Sequence, residues 1–313
     1  MRKEEKMNRK TKVVATALIL SSALSMTGFA ASAKESPTYA TAERSVALFE
    51  RYELSVSKIY NKNVGAYSSL RASLNGARLS SDVRIINGMP YIDVAAFIGE
   101  VTDMKAEYKS ASKTLNVKGR GFEMDVIDGS NVVYANGRTL FAMSPSALMS
   151  NGKVYAPLQS VAKALSFGYK FNTGAVSLSG VAKPITHASS YYAEDAVYWL
   201  SRIISAESRG ESLLGQIAVG SVVMNRVKSN LYPNTIWGVI FDRKYGVQFS
   251  PIIDGSIYAA PSAASVVAAK ICLEGFNVNE SALFFLYPKY STSSWIPNNR
   301  EYLFSIGKHD FYA

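Results

Sequence analysis

The run Asn87-Gly88-Met89-Pro90-Tyr91-Ile92-Asp93-Val94 returns 64 residues later as Asn151-Gly152-Lys153-Val154-Tyr155-Ala156-Pro157-Leu158. No other feature limits the fold so tightly, because a repeat means one supersecondary unit used twice. In each copy a glycine turn leads into a tyrosine-bearing strand and then a short apolar helix, at 94–98 and 158–165. Short alternating runs surround them: Val83-Arg84-Ile85-Ile86, Thr114-Leu115-Asn116-Val117, Phe122-Glu123-Met124-Asp125-Val126, Asn131-Val132-Val133-Tyr134 and Val176-Ser177-Leu178. Gly and Asn-Gly turns punctuate these runs, which predicts strands and hairpins over 81–180. Residues 34–80 are rich in Ser, Ala, Lys and Arg with mixed periodicity, and read as a linker or an accessory segment. A second linker, 181–190, contains Pro184 and no periodic pattern.

With 313 residues the chain exceeds what one hydrophobic core usually serves, so a second domain is expected over 191–313. At its other end, Arg2, Lys3, Lys6, Arg9, Lys10 and Lys12 precede an apolar run, 13–26, and then Ala31-Ser32-Ala33. That order is the one a secretory signal uses, and it predicts a signal peptide over 1–33, with an uncleaved membrane anchor as the alternative, and in either case a place of work outside the cytoplasm. The segment holds six basic and two acidic residues, so its removal would leave +6 of the net charge of +10. The remaining Lys and Arg are scattered, with no recognition helix and no aromatic nucleotide-binding motif. This argues against a nucleic-acid partner, and the charge reads as weak attraction to an anionic envelope or as a plain solvated surface. One cysteine, Cys272, excludes a disulfide framework and reads as a small buried hydrophobe. The two histidines, His187 and His309, are too few for a histidine-rich metal centre. No metal or organic cofactor is expected.

Chemistry concentrates at one acid. Residues 195–208 read as an amphipathic helix, with Ala196, Leu200, Ile203 and Ile204 on one face and Gly210 as its stop. Glu207 follows Ile204, Ile203 and Leu200 by three, four and seven positions, which turns its carboxyl onto the apolar face. A carboxyl held there has a raised pKa and can serve as a general acid. The same placement also suits a helix-ending residue paired with Arg209 or Arg226, and periodicity leaves both readings open.

Two stretches carry resemblances. Residues 81–180, through the repeat, resemble the copper-amine-oxidase N-terminal-like domain of exported bacterial proteins; with no histidine between 81 and 180 a copper site is not implied. Such a module spaces the chain or contacts a wall polymer or protein. Further on, Arg202-Ile203-Ile204-Ser205-Ala206-Glu207-Ser208-Arg209-Gly210-Glu211 and Gly215-Gln216-Ile217-Ala218-Val219-Gly220-Ser221-Val222-Val223-Met224-Asn225-Arg226-Val227 resemble the core motif of SleB-type cell-wall hydrolases, the spore-cortex-lytic enzymes and their relatives. The likeness continues through Tyr232-Pro233-Asn234-Thr235-Ile236, Gly238-Val239-Ile240-Phe241, Gln248-Phe249-Ser250, Trp295-Ile296 and Ile306-Gly307-Lys308-His309-Asp310-Phe311-Tyr312. It implies an α+β chain: a small strand-rich repeat domain, then a mainly helical lysozyme-like domain with a small β-sheet, acting on peptidoglycan. The catalytic glutamate of the family falls on Glu207. Ser208 departs from the more usual Ala, and Leu286-Tyr287 precede Pro288 where the family commonly has Asn.

What the resemblance implies is a lytic transglycosylase of spore-cortex or wall remodelling, secreted to the envelope or cortex, with Glu207 as acid and then base. Glycosidases that use water need two carboxylates. Glu211 reads as a brace of its loop or a cap of the next helix, while Asp242 and Asp254 stay open as second acids of a hydrolytic muramidase. Gln248 and Ser250 alternate about Phe249; on a strand they share a face and could bond acetamido groups, or they sit in a satisfied loop. Tyr287, Tyr290 and Trp295 offer flat surfaces for sugars, though large aromatics are more often core. Asn225 and Arg226 are read as bracing the Glu207 helix. The rival outside enzymology is a noncatalytic wall-binding protein, and a zinc amidase is disfavoured by the histidine count.

Overall fold

The computed structural model describes residues 68–313 except 87, 144–146, 173, 245 and 292–293. The expected signal segment, residues 34–67 and Asn87 lie outside the described residues. The first half opens with β1 (Ser68–Ser69), β2 (Arg71–Leu74), β3 (Ala77–Arg78), β4 (Val83–Ile86), β5 (Met89–Asp93) and helix α1 (Val94–Val101). A meander follows, of β6 (Lys105–Lys109), β7 (Thr114–Gly119), β8 (Phe122–Ile127), β9 (Val132–Ala135) and β10 (Arg138–Phe141). Then come β11 (Leu148–Ser150), β12 (Lys153–Pro157), α2 (Leu158–Ala164), β13 (Gly168–Asn172) and β14 (Ala175–Ser179). They assemble into three sheets, ordered β1-β4-β5-β12-β11, β10-β9-β8-β7-β6 and β13-β14-β2-β3.

The repeat accounts for the first of these sheets. β5 and β12 pair antiparallel with Ile92 opposite Ala156, and these two residues are equivalents in the repeat, so the copies face each other about a local symmetry point. Tyr91 and Tyr155 of the two copies are both buried and pack in one cluster. Asp93 caps α1 by accepting from the Ala96 N–H at 3.3 Å. Three Asn-Gly pairs, Asn75-Gly76, Asn136-Gly137 and Asn151-Gly152, all take positive φ and close the β2–β3, β9–β10 and β11–β12 hairpins. Residues 68–78 differ from the linker or accessory reading. Three short strands form there: β1 pairs with β4, and β2 pairs with β3 and, in parallel, with β14, a partner about a hundred residues away that local periodicity does not reveal.

The second half is mainly helical, as expected. After the short α3 (Ala188–Tyr191) come α4 (Glu194–Ser208), α5 (Leu213–Lys228), α6 (Ile236–Ile240), α7 (Pro251–Asp254) and α8 (Ala263–Leu273). Next are β15 (Phe284–Leu286), α9 (Trp295–Asn299), β16 (Tyr302–Ile306) and β17 (His309–Tyr312), whose strands form one sheet in the order β15-β17-β16. Helices α4, α5 and α8 pack on one another. Gly220 sits where they converge: a β-carbon there would meet Cys272 Sγ and Ile204 Cδ1, each at 2.7 Å. Cys272 is buried in this core, and burial pushes its thiol up to about 12. Among the described residues no helix is long and apolar enough to cross a membrane, and no cluster of His, Cys, Asp and Glu could hold a metal ion.

A buried ionic cluster fastens the halves, which belong to one compact unit. Arg138 on β10 reaches Glu274, the C-cap of α8, through two bonds of 2.7 Å each. The side chains are 6% and 3% exposed. Lys163 Nζ lies 2.8 Å from the same carboxylate, and Tyr192 donates to it at 2.7 Å. Tyr191 covers the Arg138 guanidinium, 3.3 Å from the ring centroid. These bonds hold the Glu274 carboxyl below its usual pKa despite its burial. Apolar contact adds to the join, since Val132 lies in the helical core with Leu200 and Ile203, and Phe141 meets Phe276 edge-on at 4.7 Å.

Replacing Glu274 by Ala leaves Arg138 buried without its carboxylate, and is expected to cost about 3–5 kcal/mol. Equilibrium denaturation measures it; a loss below about 1 kcal/mol, typical of a surface pair, would mean that the cluster is not what joins the halves.

Candidate active site

Helix α4 begins with Glu194 and Asp195 in its first turn, where acidic groups suit the dipole, and buries Leu200, Ile203 and Ile204. One turn beyond Ile203, on the same face, Glu207 is half-buried. No hydrogen bond or ion pair ties its carboxyl to another described residue. Burial pushes its pKa up to about 7; the charge of Asp254 acts in the same direction and that of Arg226 pulls back. Asp254, at the end of α7, accepts from the Ser256 N–H at 2.8 Å, and the Ser256 hydrogen bonds hold its pKa below the usual carboxylate range. Two neighbouring acids are thus driven apart, one protonated and one ionised near neutral pH.

Glu211 is turned to another task. It is 7% exposed, and its Oε2 accepts from the Lys308 N–H at 3.1 Å in the β16–β17 turn. Gly307 in that turn has φ +59°, and a side chain there would collide with Glu211 Oε2. The Glu211 carbonyl accepts from Gln216 Nε2 at 3.1 Å, and Gln216 in turn accepts from Ser265 on α8 at 2.7 Å. The acid therefore pins the small sheet to the start of α5.

Asn225 and Arg226, near the end of α5, hold the chain entering β15. Asn225 Nδ2 donates to the carbonyls of Asn279 and Ala282, both at 2.8 Å, and Arg226 Nε donates to that of Leu283 at 2.8 Å. Rings surround the guanidinium: Tyr232, Phe249 and Phe284, with centroids at 5.0, 5.2 and 5.5 Å.

The remaining expected residues are placed unevenly. The described residues of 242–250 form no strand and show one isolated bridge, Lys244 to Gly246. Gln248 spends its side chain on the Gly246 carbonyl at 3.2 Å, and exposed Ser250 leads into α7. The alternation of residues 248–250 therefore does not put two polar groups on one strand face. Phe249 is buried there in the apolar core, and the pull of that single ring fixes the loop. The small sheet forms from β15, β16 and β17. Trp295, 52% exposed, meets Phe284 edge-on at 6.3 Å. Tyr287 lies near His309 at 6.1 Å and Tyr290 at 4.8 Å, with Tyr290 72% exposed. His309 also meets Phe285, with ring centroids 5.6 Å apart.

Three residues take places in the structure that local sequence does not signal. Gly220 and Gly307 serve close approaches, a need visible only once the neighbours are known. His309 is 6% exposed, and its Nδ1 is buried without a partner. Burial lowers its pKa.

The raised pKa of Glu207 fixes the sign of a stability effect. Below pH 4.5, the ordinary value, both folded and unfolded chains hold the proton. Between there and about pH 7 only the folded chain keeps it, so this stabilising contribution is lost as pH rises through the folded pKa. The span corresponds to about 3 kcal/mol. Glu207→Gln cannot ionise, and is expected to match the parent at pH 4 and exceed it by about 3 kcal/mol above pH 7. Denaturant titrations at the two pH values check this; equal stabilities at both would mean that the carboxyl is not desolvated.

Comparison with known proteins follows the same division. Residues 210–312 match the family model described as Cell Wall Hydrolase, starting just after Glu207, and residues 73–178 match that of the Copper amine oxidase N-terminal domain. The spore cortex-lytic enzyme of Bacillus cereus is 36% identical over 126 residues, 40% of this chain and 47% of the relative. That of Bacillus subtilis (strain 168) is 34% identical over 120 residues, 38% of each chain. The match thus spans less than half the length of these relatives. Among solved structures, the catalytic domain of the germination-specific lytic transglycosylase SleB from Bacillus anthracis is 36% identical, with a TM-score of 0.36, covering 39% of this chain and 97% of that one. The chain therefore carries a domain of the cell wall hydrolase family, with the spore cortex-lytic enzymes among its relatives, behind a copper amine oxidase N-terminal-like domain.

Proposed function

We propose that this chain is an exported cell-wall lytic enzyme of the spore cortex or wall, and that it cleaves peptidoglycan glycan strands as a lytic transglycosylase. The observation that carries the reading is Glu207, a carboxyl kept protonated to about pH 7 on an apolar helix face with no bond to another described residue. A general acid needs that state at that pH. Glu207 gives its proton to the oxygen between N-acetylmuramic acid and N-acetylglucosamine, and the C1–O bond breaks. The 2-acetamido oxygen supports the cationic C1. Glu207, now a carboxylate, takes the proton of the muramoyl C6 hydroxyl while that oxygen bonds to C1. One proton leaves Glu207 and one returns, water is not consumed, and the product is a 1,6-anhydro end.

Asp254 favours a second reading, a muramidase that uses water. It stays ionised while Glu207 is protonated and acts on it electrostatically, and two-carboxylate glycosidases need one acid in each of those states. Asp242 fits this less well, as its charge acts on Arg226 and its Oδ1 accepts from the Lys244 N–H at 2.9 Å. The relatives named as spore cortex-lytic enzymes support wall lysis in either form. Residues 73–178 are assigned a spacing role or contact with a wall polymer.

Mass spectrometry of muropeptides released from cortex and vegetative peptidoglycan separates the readings. Anhydro-muramic ends are expected from the parent, none from Glu207→Gln, and continued cleavage by Asp254→Asn. Reducing ends carrying oxygen from labelled water, lost in Asp254→Asn, would replace the transglycosylase by the muramidase; release by Glu207→Gln would remove both.

A further inference from the structure

Arg226 is 5% exposed and, as an arginine, carries its charge at any physiological pH. Only part of its donor capacity is used. Nε bonds the Leu283 carbonyl, whereas Nη1 is buried and has no hydrogen-bond partner. Ring faces of Tyr232, Phe249 and Phe284 surround the cation, and no ion pair with a described carboxylate answers it. Burial of a cation without a paired anion is unfavourable, so the resting site holds a charge whose partner is missing.

The groups that face it identify that partner. Negative charge acts on Arg226 from Tyr232, Asp242 and Glu207. Tyr232 is a phenol and Asp242 is engaged in its own turn. Facing Glu207, in addition to Arg226 on α5, is Asp254 on α7, which repels a second negative charge. Glu207 offers Arg226 no charge while protonated, and a full one after it has donated its proton.

We infer that Arg226 is a positioning residue that holds a positive charge and an unused N–H for the carboxylate Glu207 becomes once its proton has passed to the leaving oxygen. The inference rests on the acid role proposed for Glu207 and applies to either product. An attraction that grows as the proton departs is stronger in the transition state than in the ground state, and therefore lowers the barrier. It also keeps the carboxylate in place for the proton it takes back.

Arg226→Gln and Arg226→Lys test it, with kcat and KM on wall fragments read beside the carbon-13 titration of the Glu207 carboxyl. Arg226→Gln is expected to lose about a hundredfold in kcat with KM little changed, and to move the Glu207 midpoint upward, because a positive charge has gone. Arg226→Lys gives up the planar fork but keeps the charge; it should restore the midpoint and part of kcat. A purely structural brace of Leu283 would show no such rescue. Should Arg226→Gln fail to fold, the Lys variant decides: a midpoint near the parent's supports the inference and a displaced one overturns it. Inactive Glu207→Gln beside fully active Arg226→Gln overturns this inference alone, whereas active Glu207→Gln overturns the reading of Glu207 and this one with it.

Discussion

Three helices can meet as closely as α4, α5 and α8 do only because position 220 has no side chain. Any β-carbon there would press on Ile204 and Cys272 at once, so the helices would have to separate. That separation would lift α4 from its apolar bed, and with it Glu207, whose raised pKa comes first from burial. The acid strength of one carboxyl thus depends on a hydrogen atom on the neighbouring helix. Much of the second half can be followed outward from this crossing. Gln216 and Ser265 tie α5 to α8 in its interior, Ser205 on α4 accepts from the Ser262 N–H at 3.1 Å, and Asn225 with Arg226 holds the strand that follows.

The parts legible from the sequence are those settled by neighbours close along the chain. Glu207 could be placed on an apolar face because helical spacing needs only the preceding two turns. The Asn-Gly hairpins declare themselves because two adjacent residues must take positive φ, and β4 was bounded by its own alternation. What stayed hidden depends on distant partners. β6 reads Lys105-Ala106-Glu107-Tyr108-Lys109, an edge strand whose exposed alternate positions carry charge, so it lacks the apolar content that marks an inner strand. β2 and β14 pair across the whole first half. Residues 248–250 alternate like a strand, yet one buried phenylalanine and the α7 that follows decide their shape. Lone side chains such as Arg138 and Glu274 gave no local signal, being 136 residues apart.

The two buried arginines described here differ in how their charges are met. Arg138 has a bidentate carboxylate, a covering ring and a nearby phenol; nothing about it invites a further ligand. Arg226 has a carbonyl and three rings, and a buried Nη1 with no hydrogen-bond partner. A fully met charge fixes geometry, while an unmet one stores a preference that a changing neighbour can satisfy. The contrast separates the join between the halves from the chemistry of the second half.

The Arg138–Glu274 cluster also bears on how the molecule moves. Residues 181–187, between the last strand of the first half and α3, have no regular structure and resemble a tether. They cannot act as one while Glu274 is bound by Arg138 and Lys163, because any swivel about them would have to break both contacts together. Whatever grips one half therefore sets the bearing of the other, and helix α4 would stay at a fixed offset from that grip, as the jaw of a caliper does, instead of sweeping around it.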